Sequence, residues 1–179
     1  MPNGVIAMPD QTTKRKSKDS VFTKLFSDLD NVLKLYKELH PEDTTVTKDD
    51  IQLQTLNTVL INDIYNDLGF IVNEKGNAKL VMLVEAQSAW NPNMTLRMLF
   101  YLAETYRRYV KESRQSEHSS SRVKLPKPEL YIVYSGSKDV PNEISFNDDF
   151  FDGGAAVDLK INILNKEPLR NKLCNLGAE

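Results

Sequence analysis

Leu80-Val81-Met82-Leu83-Val84-Glu85-Ala86-Gln87 is the stretch whose reading decides the fold of this chain. A short apolar run bounded by turn residues predicts an interior β-strand. This one ends on a carboxylate, and burying a carboxylate is costly unless it is paired or binds a metal. Side chains alternate along a strand, so Glu85 and Gln87 point to one side. Upstream, Asp67-Leu68-Gly69-Phe70-Ile71-Val72 reads as a partner strand, separated from Lys79–Ser88 by the polar turn Asn73-Glu74-Lys75-Gly76-Asn77. A hairpin folded about Lys75–Gly76 sets Asp67 opposite Glu85 or within a residue of it. Asp, Glu and Gln then converge at one end of a β-ribbon, an oxygen-rich place suited to a hard metal ion.

Outward from the hairpin, the chain alternates helical and strand patterns. Before it, Val21, Phe22, Leu25, Phe26, Leu29, Val32, Leu33 and Tyr36 recur at three- and four-residue spacing. They predict one helix from about Ser20 to Leu39, capped by Asp19 or Ser20 and ended at His40-Pro41. Residues 41–50 read as a polar loop in which Thr47-Lys48-Asp49-Asp50 starts a short turn. Ile51 to Ile61 alternates enough for a strand. After the hairpin, Asn91-Pro92-Asn93 opens a second long helix, about Pro92 to Glu112. Its expected buried stripe is Met94, Met98, Leu102, Tyr106 and Tyr109, with Leu99 and Ala103 beside it. A polar connection, 113–128, leads to a buried strand, Leu130–Tyr134. An acidic loop then leads through Gly153-Gly154 to a last strand, Val157–Leu164. The order predicts a central mixed sheet with helices packed on it.

At 179 residues the chain is expected to form one domain, 19–179, behind a disordered tail over 1–18. No apolar run reaches the ~18 residues of a membrane helix, and no signal-peptide core opens the chain, so a cytoplasmic protein without a membrane partner is expected. The single Cys174 excludes an internal disulfide, and with only His40 and His118 it offers no zinc cluster. Charge is unevenly spread. Arg97 to Lys127 holds eight Lys or Arg against three Glu, whereas Asp139 to Asp158 holds six acids and no Lys or Arg. A basic face beside an acidic region suits a polyanionic ligand, although solvated helix faces also produce such runs.

Several segments carry a family resemblance. Asp19-Ser20-Val21-Phe22-Thr23-Lys24-Leu25-Phe26, Asp63-Ile64-Tyr65-Asn66-Asp67-Leu68-Gly69-Phe70, Val84-Glu85-Ala86-Gln87-Ser88, and Arg97 with Tyr101 on Leu96–Leu102 occur in this order. Together they resemble the recombination-promoting nuclease, or putative transposase, branch of the PD-(D/E)XK nucleases, over residues 19 to about 176. In that branch Gln stands where other members carry Lys, and the opening Lys24 is displaced by one position.

The resemblance implies an α/β, restriction-endonuclease-like fold with a central mixed sheet flanked by helices, and, since family members usually continue past the last strand, a truncated or short member is expected. It implies a DNA endonuclease dependent on Mg²⁺ or Mn²⁺ and associated with recombination or a mobile element. Asp67 and Glu85 would hold the ion, with the Ala86 carbonyl as a further ligand, and Gln87 would serve the attacking water. Lys24, Arg97, Tyr101, Arg107 and Arg108 would contact DNA. Cutting both strands needs two sites, which a homodimer would supply. The alternative from another class is a nuclease-derived domain that binds DNA or protein without cutting. For single residues the plainer readings are that Asp67 ends a helical turn, that Glu85 forms a salt bridge, and that Arg97 pairs with Glu85 or Glu104 while Tyr101 packs.

Overall fold

The computed structural model of the chain describes residues 24–54 and 68–165. In chain order the elements are α1 (Leu29–Leu39), a 3-10 turn (Lys48–Asp50), β1 (Ile51–Leu53), β2 (Leu68–Glu74), β3 (Asn77–Gln87), α2 (Met94–Glu112), β4 (Lys127–Tyr134), β5 (Glu143–Ser145), α3 (Phe146–Phe151) and β6 (Lys160–Leu164). The strands lie side by side in the order β1-β2-β3-β4-β6-β5. β3, β4 and β6 run parallel, while β1–β2, β2–β3 and β5–β6 are antiparallel.

The hairpin turns at Lys75 and Gly76, both at positive φ (51° and 78°), and such a pair of left-handed residues matches the twist of the strands it joins. Pairing runs from Glu74↔Asn77 to Leu68↔Val84, with a bulge where Val72↔Leu80 gives way to Asn73↔Ala78. The bulge puts Lys79 beside Leu80 in a cleft next to α1, while Ala78 packs on the other side with the α2 core.

Both sheet faces are covered, which is why β3 and β4 are apolar without alternation. α1 packs Val32, Leu35 and Tyr36 against Phe70, Val72, Leu80, Met82, Val84, Tyr131 and Val133. α2 packs Met94, Met98, Tyr101 and Leu102 against Ile71, Val81, Leu83, Leu130, Ile132 and Tyr134. This is the central mixed sheet flanked by helices of a restriction-endonuclease-like fold.

Local chemistry moved several boundaries. The expected helix from Ser20 is interrupted, because Asp28 accepts the backbone N–H of Asp30 at 2.9 Å and so caps a fresh helix at Leu29. Before it, Lys24 and Leu25 are helical, and Ser27 Oγ bonds the Lys24 carbonyl at 2.7 Å. The Asp19 and Ser20 caps lie outside the described residues. The strand expected over Ile51–Ile61 is paired only through Leu53, with the Gln54 N–H still donating to the Gly69 carbonyl at 2.7 Å. Residues 55–61 lie outside the described residues, as do the 1–18 tail and Cys174.

On α2, Ala103 is exposed and Tyr106 and Tyr109 are half-buried, while Thr95, Tyr101 and Thr105 are buried. The threonines tolerate burial because Thr105 Oγ1 bonds the Tyr101 carbonyl at 2.8 Å and Thr95 Oγ1 bonds Asp149 Oδ2 at 2.8 Å. The acidic loop is partly ordered into β5 and α3, with Ser145 accepting the Asp148 N–H as N-cap. The last strand starts at Lys160 instead of Val157.

Candidate active site

Glu85 lies third from the end of β3 on the α2 face, the side to which Val81 and Leu83 also point. It is 2 % exposed. The chain leaves β3 at Gln87 and returns over this face as α2, so the first helical turns pass above the strand end. Met94, Met98, Tyr101 and Leu102 set the buried side of the helix. Arg97, four residues before Tyr101, shares its face. Arg97 Nη2 donates to Glu85 Oε1 at 2.5 Å and to Tyr101 Oη at 2.7 Å, and Nε donates to the same hydroxyl at 3.1 Å. The guanidinium lies 5.6 Å from the Tyr101 ring centroid, and Nη1 sits 3.2 Å from Met94 Sδ.

The buried carboxylate therefore has a cationic partner, which offsets its desolvation. The partner itself is 30 % exposed. Gln87 joins the group, with Nε2 donating to Glu85 Oε1 at 3.4 Å. A neutral amide adds no charge there, but its oxygen and N–H₂ can hold a water or an ion. Ala86, between them, is half-buried.

Asp67 lies outside the described residues. Its chain neighbour Leu68 pairs with Val84, the neighbour of Glu85. Among the described residues no three His, Cys, Asp or Glu side chains form a group able to hold a metal. The described oxygen donors at this end of β3 are the Glu85 carboxylate, the Gln87 amide and the Ala86 carbonyl, and such ligands suit Mg²⁺ or Mn²⁺ rather than a thiolate-seeking metal.

The other expected contact residues are spread along the surface. Arg107 projects into solvent and pairs with Glu104, and Arg108 Nη2 stands 3.9 Å from Glu112 Oε1. Lys24 is exposed. Exposed pairs of this kind contribute little to stability, so a phosphate can compete for either arginine.

Two arrangements were not anticipated from the sequence. The first is at the ends of β3 and β4, where the Ser135 N–H donates to the Gln87 carbonyl at 2.9 Å and Trp90 packs on Tyr134. The signal available was that β4 stops at Ser135-Gly136 beside a parallel neighbour, because sites form outside the carboxyl ends of parallel strands.

The second lies at the other end of the sheet, where Leu80 pairs with Lys127. Tyr36, His40, Glu42, Asp43, Lys79, Leu80, Lys127 and Glu129 line a cleft of ≈ 400 Å³. Asp43 accepts from Tyr36 Oη at 2.8 Å, Thr45 Oγ1 at 2.9 Å and Lys79 Nζ at 3.1 Å. Glu129 is bonded by Tyr131 Oη at 2.9 Å, His40 Nε2 at 2.8 Å and Lys127 Nζ at 3.2 Å. The Tyr36 hydroxyl, then Thr45 and Lys79, hold Asp43 well below the ordinary carboxylate range. Burial pushes Glu129 up, but the bonds from Tyr131, Lys127 and His40 outweigh it and leave its pKa lowered. Burial, then the bonded acids, push both tyrosines above their usual range.

The acids here are satisfied within the network, which fastens the C-terminal end of α1 to β4. A carboxylate with a lowered folded pKa contributes stability above its unfolded pKa, and that stability is lost as pH falls through the folded value. The melting temperature should therefore drop as pH falls below about 4. An Asp43→Asn/Glu129→Gln variant should have a shallower acid limb, with the part set by Glu42, Asp50 and Asp158 remaining. An unchanged limb in the variant would place the acid sensitivity elsewhere.

Residues 16–167 match the family model described as "Putative transposase, YhgA-like". No curated protein and no solved structure matches the chain. Among the described residues no helix is long and apolar enough to cross a membrane.

Proposed function

Because the chain belongs to the YhgA-like putative transposase family, which associates it with mobile elements and with DNA, we propose that it is a DNA endonuclease dependent on Mg²⁺ or Mn²⁺ and acting in recombination. The observation that carries this reading is the carboxylate of Glu85, buried at the end of a central strand, with a partly exposed arginine on one of its oxygens. A carboxylate of this kind suits ion binding, and the arginine beside it suits a phosphate.

In this reading Asp67, Glu85 and the Ala86 carbonyl hold the ion, and Gln87 is close enough to share a water with it. The bound ion would polarise the phosphoryl oxygen and lower the pKa of its water. The chain's own residues do the rest. Tyr101 fixes the Arg97 guanidinium through two hydrogen bonds. Arg97, 30 % exposed, then turns its planar guanidinium to a non-bridging phosphate oxygen. Gln87 accepts a hydrogen bond from the attacking water through its amide oxygen and orients it. Arg107 and Arg108, with Lys24, bind flanking phosphates. Two copies of the chain would cut two strands.

The second reading, a domain that binds DNA or protein without cutting, is favoured by one specific observation. Arg97 is committed to Glu85, and position 87 offers no cation to replace it.

Incubating the purified chain with supercoiled plasmid separates the two. Nicking that requires Mg²⁺ or Mn²⁺ supports the nuclease, and binding without nicking supports the second reading. Affinity for a DNA duplex should fall with salt, since each neutralised phosphate contributes a slope of about −0.9 in log K against log salt. Arg107→Ala/Arg108→Ala should make the slope shallower by about 1 to 2. A flat salt response would favour a protein partner.

A further inference from the structure

The last paired residues of the two central parallel strands are Gln87 and Tyr134. Beyond them the chain forms two neighbouring loops, 88–93 and 135–142. Gly136 lies flat against the first of these. A Cβ there would fall 2.3 Å from Tyr134 Oη, 2.4 Å from its Cζ and 2.8 Å from the Ser88 carbonyl oxygen, so only glycine lets the loop approach. The Tyr134 ring that Gly136 approaches is itself buried. Trp90 meets it edge to face, with ring centroids 5.9 Å apart at 89°.

Trp90 is half-buried, yet it sits in a loop whose Ser88, Ala89, Pro92 and Asn93 are exposed. The loop that holds it carries no charged residue. A partly exposed aromatic ring, braced by Tyr134 and the core on the α2 face and placed just past the strand that bears Glu85 and Gln87, is suited to a sequence-tolerant base contact.

We infer that Trp90 is a stacking platform for an unpaired nucleobase, so that the substrate is DNA with a single-stranded or unpaired segment beside the phosphate that is cut. The inference rests on the proposed nuclease reading and narrows it. A base inside a duplex offers no free face, so a stacking ring discriminates for an unpaired one.

Trp90 is the chain's single tryptophan, which makes its fluorescence a direct report on this position. The experiment titrates the full chain, in EDTA to prevent cleavage, with a fluorescein-labelled thymidine 16-mer and with a labelled mixed-sequence duplex. Anisotropy reports binding, and tryptophan emission is followed with unlabelled copies of the same oligonucleotides. Support is quenching by the single strand that saturates together with anisotropy, with the duplex binding more weakly and leaving emission unchanged. Trp90→Leu should weaken single-strand binding about tenfold, and Trp90→Phe should retain most of it. Binding with unchanged emission, or equal quenching by duplex, overturns the inference and leaves the nuclease reading standing. Absence of binding to either oligonucleotide overturns both. If Trp90→Leu fails to fold, the wild-type emission and the Phe variant still decide.

Discussion

Glu85→Ala should abolish metal-dependent cleavage, lowering the rate by about 10³-fold or more, equivalent to roughly 4 kcal/mol of transition-state stabilisation. The substitution removes a carboxylate from the end of β3 where the ion would sit. It should also reduce stability by about 1–3 kcal/mol, because the side chain is 3 % exposed and accepts a 2.5 Å bond from Arg97. A stability loss alone therefore does not separate a metal ligand from a structural ion pair at this position. Cleavage does, together with Glu85→Gln, which keeps the volume and loses the charge. Plasmid nicking and thermal melting of the same preparations give the two readouts. A Glu85→Gln protein that nicks at the wild-type rate would remove Glu85 from the reaction. Gln87→Lys extends the test, since an ammonium there should support cleavage at least as well if position 87 serves the water.

Arg97→Ala should have the larger effect on stability, about 3 kcal/mol, although it removes a more exposed side chain. The asymmetry follows from burial. Loss of Glu85 leaves an arginine that is 30 % exposed and can turn to solvent, whereas loss of Arg97 leaves a carboxylate at 3 % exposure without its shortest described contact. Denaturant unfolding of Arg97→Ala, Glu85→Gln and the double variant measures the coupling. The double variant should be more stable than the summed losses predict by about 1–3 kcal/mol. Additive losses would mean that the bond does not hold α2 to β3. Arg97→Lys should recover part of the stability and little of the cleavage, because an ammonium cannot reproduce the fork that Tyr101 orients.

Much of the fold was legible because its signals are local. The Lys75–Gly76 turn, the apolar runs of β3 and β4 and the spacing of Met94, Met98 and Leu102 each depend on residues close in sequence, and each element formed there, with β4 starting at Lys127 instead of Leu130, β3 at Asn77 instead of Lys79 and the helix at Met94 instead of Pro92. The boundaries that moved were decided by competition. Asp28 captured a backbone N–H and restarted a helix whose apolar spacing runs straight through it. Thr95 and Thr105 became buried because hydrogen-bond partners were available, one from α3, which the sequence had been expected to leave as loop.

The same division applies to the candidate site. The sequence alone determined that an acid ends a buried strand, that Gln87 shares its side, and that Arg97 and Tyr101 lie one turn apart on a helix. These follow from fixed periodicities of the backbone. It left open whether Arg97 would meet Glu85, Glu104 or a ligand, because that depends on where α2 crosses the sheet, and the crossing is set by packing over the whole face. Tertiary structure decided it, placing Arg97 on Glu85 and leaving Glu104 to Arg107. Only the fold, too, brought Tyr36, Asp43, Lys79 and Glu129 into one network and laid Gly136 against Tyr134 and Ser88. Contacts between residues far apart in the chain arise when separate faces are buried together, and nothing local in the sequence encodes which polar groups that burial will oblige to pair.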